Sequence, residues 1–131
     1  MKRLFRRDKP IKHNGKYAIY VPTKGVARPI LIGKDKDAIK SLEEAVGGPL
    51  ERIYTGTKHN SLVVDKNAIP LGKDINLVAT EYLKCSVTCG NYIAGDAVLV
   101  LLIDGEYEFF TYFQSAAIAD NFNSIRACIL G

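Results

Sequence analysis

Residues 97–103 read Ala-Val-Leu-Val-Leu-Leu-Ile, an unbroken apolar run bounded by Gly95-Asp96 before it and Asp104-Gly105 after it. A short segment rich in Val, Leu and Ile between turn signals is typical of a strand that is buried on both faces. A buried helix is the alternative, but most helices are longer than this run. We therefore predict a strand over residues 97–103, at the centre of the sheet.

A second β-rich run, residues 106–113, follows the hairpin signal Asp104-Gly105 and reads Glu-Tyr-Glu-Phe-Phe-Thr-Tyr-Phe. We predict that it pairs with residues 97–103 in a central hairpin. Alternate side chains of a strand face opposite ways, so one set of these aromatic residues should fill the core. The other set would face a helix, a partner subunit or a flat ligand.

Earlier segments of the chain predict two more hairpins and two helices. The predicted strands are Tyr17–Val21, residues 26–32, Leu50–Tyr54 and residues 61–64, and Pro29 favours an edge position for the second of them. One helix carries Ile39, Leu42, Ala45 and Val46, is capped by Asp35 or Asp37, and ends at Gly47-Gly48-Pro49. Asn76 caps the other, which carries Ile75, Val78, Ala79 and Tyr82 on one face.

The end of the chain predicts a third helix, with Ser115 as its cap, and a final strand over residues 124–130. The resulting order, β-β-α-β-β-α-β-β-α-β, predicts one α+β domain with a largely antiparallel sheet and two or three short helices. Composition agrees with a single domain, because the chain has 131 residues of which 47% are hydrophobic.

Charge divides the chain into a basic N-terminal arm, residues 1–16, and a nearly neutral domain, residues 17–131. The arm holds seven Lys or Arg against Asp8, whereas the rest holds eleven basic and thirteen acidic residues. A solvated terminus is one interpretation of the arm. The other is weak, non-specific nucleic-acid binding. Its candidate residues are Lys2, Arg3, Arg6, Arg7, Lys9 and Lys12.

Several classes of protein are disfavoured by the sequence. Its apolar runs are shorter than the roughly 20 residues of a membrane span, and charges interrupt the N-terminus where a signal peptide would be apolar. We therefore expect a soluble intracellular protein without a membrane partner. Cys85, Cys89 and Cys128 are expected to be reduced and partly buried, because they lack the paired spacing of a zinc or redox site.

The search for catalytic patterns finds no glycine-rich phosphate loop, nucleophile elbow or paired metal-ligand spacing, and no cofactor is predicted. His59 lies in a polar loop and is expected at the surface. Asp65, Asp96 and Asp104 adjoin strand ends, where turn chemistry explains them. A small hydrolase based on a carboxylate or His59 stays an alternative, but we favour a protein that is not an enzyme.

The order of several short motifs resembles a family of small domains of unknown function that is common in bacteriophages, plasmids and other bacterial mobile elements. The resemblance runs from Val46 to about Phe122. It comprises Val46-Gly47-Gly48, Leu50-Glu51-Arg52-Ile53, Leu62-Val63-Val64-Asp65, Pro70, Asn76 with Ala79-Thr80, and Ile93-Ala94-Gly95-Asp96. It implies a phage or mobile-element setting, in the cytoplasm of a bacterial host cell, and no catalytic residues.

The function predicted from this context is counter-defence by binding, either blocking a host defence protein or sequestering a nucleotide-type signal. The candidate ligand- or partner-binding residues are Arg52, Asn76, Thr80, Tyr82 and Tyr112. Self-association is left open, since the edge strand over residues 26–32 offers a pairing surface that Pro29 opposes.

Overall fold

The described part of the chain forms a single α+β domain with a six-stranded sheet and three helices. The computed structural model describes residues 15–33, 37–84 and 92–130. The elements, in chain order, are β1 (Tyr17–Val21), β2 (Arg28–Leu31), α1 (Ala38–Val46), β3 (Leu50–Tyr54), β4 (Asn60–Asp65), α2 (Leu77–Lys84), β5 (Ala97–Ile103), β6 (Glu106–Glu108) and α3 (Tyr112–Leu130).

The sheet is built around β5, as the apolar run predicts. Its strand order is β2-β1-β5-β4-β3, and β6 pairs with β5 at the end of β5 beyond β1. All the strand pairs are antiparallel. Asp104 and Gly105 connect β5 to β6 with φ values of 53° and 83°, the left-handed pair that a tight hairpin turn requires. The predicted edge position of the strand containing Pro29 is confirmed.

Helices cover both faces of the sheet, which is why β5 is apolar on every side. Leu99 faces one core with α2 and α3, where its neighbours include Phe122. Val98 and Val100 face the other core, which they share with Leu42 of α1. Ile39, predicted for the buried stripe of α1, is instead 52% exposed, and Ala38 takes the buried place.

The last third of the chain differs from its prediction. The second β-rich run forms a strand over Glu106–Glu108 and a single bridge from Phe110 to Tyr17, and residues 112–130 form one continuous helix instead of a short helix and a final strand. Thr111 and Gln114 form a reciprocal capping box, with N–O distances of 3.0 and 3.1 Å. Ser115 therefore does not cap α3. It is buried within the helix, and its hydroxyl donates to the carbonyl of Tyr112.

The turn between β1 and β2 is fastened to α3 by Asn123. Its side-chain amide bonds both backbone groups of Ala27: Oδ1 accepts from the amide at 2.8 Å, and Nδ2 donates to the carbonyl at 3.0 Å. In the described ranges, no helix combines the length and apolar character needed to cross a membrane.

Candidate functional site

The loop between β4 and α2 is fixed by its own backbone. Hydrogen bonds of 2.9 to 3.0 Å join the amides of Leu71, Gly72 and Lys73 to the carbonyls of Asn67, Ile69 and Ala68, respectively. Ala68 is buried beneath the loop. Because these bonds close successive turns, the loop has a defined shape before any partner arrives.

A buried ion pair anchors this loop to the end of α1. The Nζ of Lys73 lies 2.7 Å from Oδ2 of Asp65, whose side chain is 1% exposed against 29% for that of Lys73. The same ammonium group donates to the carbonyl of Val46 at 3.2 Å, and the amide of Asn67 donates to Oδ1 of Asp65 at 2.9 Å. The hydrogen bond from Lys73, followed by that from Asn67, lowers the pKa of the Asp65 carboxyl group.

The two glycines after α1 are required for different structural reasons. Gly47 ends the helix with a φ of 83°, and its amide donates to the carbonyl of Glu43 at 2.8 Å. Gly48 lies directly against the carboxylate of Asp65, so that a Cβ at this position would overlap both carboxylate oxygens. The pair Gly47-Gly48 therefore does more than stop a helix, because the second glycine gives Asp65 its space.

A cleft of about 380 Å³ opens beside the ion pair and is lined by Thr23, Val46, Gly72, Lys73, Asp74, Gly95 and Asp96. Both carboxylate oxygens of Asp96 accept hydrogen bonds, from the Tyr20 hydroxyl at 2.6 Å and from the Thr23 amide at 2.9 Å. Burial, then the hydrogen bond to Asp96, raises the pKa of Tyr20 to about 12. The polar groups that approach the cleft are thus largely engaged within the protein.

Four aliphatic side chains point outward from the chain around the cleft. Ile69, Leu71, Ile75 and Leu77 are each between 49% and 67% exposed, and we call residues 69–77 the apolar loop. Three residues between Leu71 and Ile75 line the cleft. Contiguous exposed apolar surface marks an interaction site, and these four side chains lie within nine residues of one another in the chain.

Two of the predicted site residues, Asn76 and Thr80, form hydrogen bonds with backbone groups next to the apolar loop. Asn76 is fully buried; its Nδ2 donates to the carbonyls of Val21 and Gly95, and its Oδ1 accepts from the Ala79 amide at 3.0 Å, which caps α2 as predicted. The hydroxyl of Thr80 accepts from the amide of Ile93 at 2.9 Å. Their polar side-chain atoms serve the fold, so direct contact of Asn76 with a ligand is not supported.

The other three predicted site residues lie on different elements. Arg52 is exposed on the edge strand β3. The ring of Tyr82 lies 4.6 Å from that of Phe122, tilted by 38°, in the core under α2 and α3. Tyr112 begins α3 with its ring 5.3 Å from that of Tyr17. The structure therefore brings Asn76, Thr80 and Tyr82 together on α2 and its cap, while Arg52 and Tyr112 lie elsewhere. A binding role for the five remains a prediction.

The remaining candidates have varied outcomes. His59 is exposed, as predicted, and its carbonyl accepts from the Leu102 amide. Cys128 is exposed on α3 rather than partly buried. Within the described ranges, no group of three or more His, Cys, Asp or Glu is placed to hold a metal ion. Cys85, Cys89 and the arm residues Lys2, Arg3, Arg6, Arg7, Lys9 and Lys12 lie outside the described residues, so nucleic-acid binding through the arm stays a prediction.

The apolar loop was not recognised from the sequence. Its sequence predicts a turn followed by the start of a helix. The order of residue types alone does not indicate whether an aliphatic side chain is buried or exposed. The proximity of Lys73 to Asp65, eight positions earlier, is a signal that could have suggested an anchored turn.

No protein-family model, curated protein or solved structure matches the chain.

Proposed function

We propose that this protein is a binding protein, not an enzyme, and that the apolar loop engages a partner protein. The observation that carries the proposal is a loop of defined shape that exposes Ile69, Leu71, Ile75 and Leu77. Burying aliphatic surface is the main favourable term in association. A loop that is already ordered avoids much of the entropy that binding would otherwise cost.

The setting that we propose is a phage or mobile element, with a host defence protein as the partner to be blocked. The support for this setting is the order of motifs between Val46 and about Phe122 described above. Blocking needs an adhesive surface and no reactive group. The apolar loop supplies such a surface.

A nucleotide-type signal fits the cleft less well than a protein fits the loop. The volume of about 380 Å³ lies within the range of small-molecule sites. However, Lys73 is paired with Asp65 and Lys24 lies 4.0 Å from Asp74, while the carboxylate of Asp96 adds a negative charge to the lining. A phosphate would therefore meet negative charge without a free cation from the lining side chains. Charge thus favours blocking over sequestration.

Hydrolysis has little support from the same geometry. The carboxylate of Asp65 is buried against Lys73, and that of Asp96 accepts two internal hydrogen bonds. Neither carboxylate is free to take a proton from a water molecule without losing these bonds.

The test is affinity capture from host-cell extract with three forms of the full chain. The variant Ile69→Glu/Leu71→Glu charges the apolar loop at two exposed positions, so the fold should be retained. The matched control, Ile129→Glu/Leu130→Glu, charges two exposed aliphatic residues at the end of α3. We expect the wild type and the control to recover the same partner at fixed stoichiometry, and the loop variant to lose it.

A partner that the loop variant retains would contradict the use of the apolar loop. A thermal-shift screen with cyclic nucleotides and ADP-ribose derivatives separates the two modes of counter-defence. A ligand at 100 times its Kd stabilises by about 2.7 kcal/mol, which such a screen detects readily. A shift with any of these compounds would replace blocking by sequestration.

A further inference from the structure

A second concavity, distinct from the cleft, lies between β6 and the start of α1. Its volume is about 440 Å³, and it is lined by Lys16, Ala38, Ile39, Gly105, Glu106, Tyr107, Glu108 and Phe109. We call it the β6 groove. It lies on a different part of the molecule from the apolar loop, and the proposed function does not use it.

The β6 groove combines apolar and acidic surface. Ile39, in the first turn of α1, is 52% exposed. Tyr107 and Phe109 are partly buried against the core beneath them. Glu106 and Glu108 are both exposed. Because alternate residues of a strand face opposite sides, the two carboxylates lie across β6 from Tyr107 and Phe109, so the lining suits an extended segment that carries cationic side chains on one face and apolar side chains on the other.

Backbone hydrogen-bonding groups add to the groove. β6 is three residues long and, in the described part of the chain, pairs only with β5. Its other edge leaves amides and carbonyls that an extended segment can meet, as added strands do on exposed sheet edges. A segment lying along this edge would place its side chains over the lining of the groove.

We propose that residues 1–14 of this chain bind in the β6 groove. Lys16 is itself part of the lining, so the segment enters the groove at its own point of attachment. It combines Leu4 and Phe5 with six Lys or Arg residues, which complements both the aromatic and the acidic lining. Attachment gives the segment an effective local concentration in the millimolar range, so that weak contacts suffice.

The length of the segment allows this placement. Phe5 precedes Lys16 by eleven residues, which span up to about 36 Å when extended. The groove follows residues 105–109, a stretch that spans at most about 17 Å. The apolar pair therefore reaches the aromatic lining with chain to spare.

Docking in the groove has a consequence for the charge of the arm. Cations that contact Glu106 and Glu108 are less available to phosphates, so a nucleic acid must displace the arm before binding it. The groove thereby restrains non-specific adhesion of a strongly basic segment, and added salt weakens both interactions.

Carbodiimide coupling of the full-length protein tests the placement directly. The reagent joins a carboxylate to a nearby amine as an amide, with loss of water, and peptide mass spectrometry locates the link. We expect links from Glu106 or Glu108 to Lys2, Lys9 or Lys12 within the monomer. The reference carboxylate is Glu51, which is exposed on the edge strand β3.

The proposal would be overturned if no links to the arm lysines formed. It would also be overturned if such links were as frequent at Glu51 as at Glu106 and Glu108. Links found only in covalent dimers would also overturn it, and would assign the groove to the arm of a second copy. Either result concerns the groove alone and leaves the test of the apolar loop untouched.

Limited trypsin digestion supplies an independent measurement. In Glu106→Gln/Glu108→Gln, cleavage after Arg6 and Arg7 should quicken by roughly two- to twentyfold relative to wild type, because two exposed ion-pairing groups are lost. The control Glu51→Gln/Asp120→Asn removes two exposed carboxylates from other elements and should leave the rate unchanged. Equal rates in the groove variant and the control would contradict the proposal.

Discussion

Replacing Lys73 with methionine would leave the carboxylate of Asp65 buried without its cation. Asp65 is 1% exposed at its side chain and lies 2.7 Å from the Lys73 ammonium. Removing one partner of a fully buried pair costs about 3–5 kcal/mol. Lys73 is 29% exposed, and Asp65 keeps its hydrogen bond from Asn67, so we expect about 2–4 kcal/mol here.

Urea unfolding at pH 7 measures this loss. With a slope of about 2 kcal/mol per molar urea, the transition midpoint of Lys73→Met should fall by about 1–2 M. Lys66→Met is the matched control, because Lys66 is exposed in the same loop and should change stability by less than about 0.5 kcal/mol. The double variant Asp65→Asn/Lys73→Met removes the stranded charge and should be more stable than Lys73→Met alone.

The pH dependence gives a second, independent signature. In the wild type, the lowered pKa of Asp65 contributes stability above the unfolded value of about 3.9, and this is lost as the pH falls through the folded pKa. In Lys73→Met, burial raises the pKa of Asp65 instead, so the charged form is penalised. The deficit of the variant should therefore be largest at pH 7 and shrink towards pH 3.5.

A deficit below about 0.5 kcal/mol at pH 7, or one equal at both pH values, would refute this account of the ion pair.

Substitutions at two further positions test the core and the support of the apolar loop. Val100→Asp places a carboxylate in the core beneath α1 and should cost more than about 4 kcal/mol, so an unchanged melting temperature would contradict the placement of β5. Asn76→Ala removes the cap of α2 and leaves the carbonyls of Val21 and Gly95 without their donor, for a loss of about 2–4 kcal/mol by chemical denaturation. Asn76→Asp keeps the capping oxygen but sets a buried carboxylate against the carbonyls of Val21 and Gly95, so it should cost at least as much as Asn76→Ala, and equality with wild type would refute the role of Nδ2.

The strands and the first two helices were predictable because turn-forming and helix-capping residues mark their boundaries. Residues 97–103 form a strand as predicted, because turn residues bound them at each end. Tyr17–Val21 and Leu50–Tyr54 are likewise confirmed to the residue. Asn76 also caps its helix as predicted, because its side-chain oxygen accepts a hydrogen bond from the Ala79 amide in the first turn of α2.

The third helix was mispredicted because local signals conflicted. The aromatic and β-branched residues of the run over residues 106–113 favour a strand, whereas Thr111 and Gln114 are spaced as a capping box. Tertiary packing decided the competition. Ser115, Ala119 and Phe122 of α3 are buried at helical spacing, while much of the remaining surface of the helix is exposed.

The candidate site was less predictable than the fold. Ile69 and Leu71 are ordinary core residue types, and only the three-dimensional course of the loop places them outside. Asp65 looked like a strand-end turn residue, and its Oδ1 does accept from the amide of Asn67 in that way. Its other oxygen, however, holds Lys73, a contact that a pattern of types does not reveal.

The position of β5 in the chain governs when this protein can fold during synthesis. β5 is the seventh of the eight elements before α3, yet among the described strands it alone joins the hairpin β1–β2 to the hairpin β3–β4. A nascent chain that ends before Ala97 therefore consists of two hairpins with no strand between them. Isolated hairpins are only marginally stable in water. Formation of the complete sheet must therefore wait until residues 97–103 have left the ribosome.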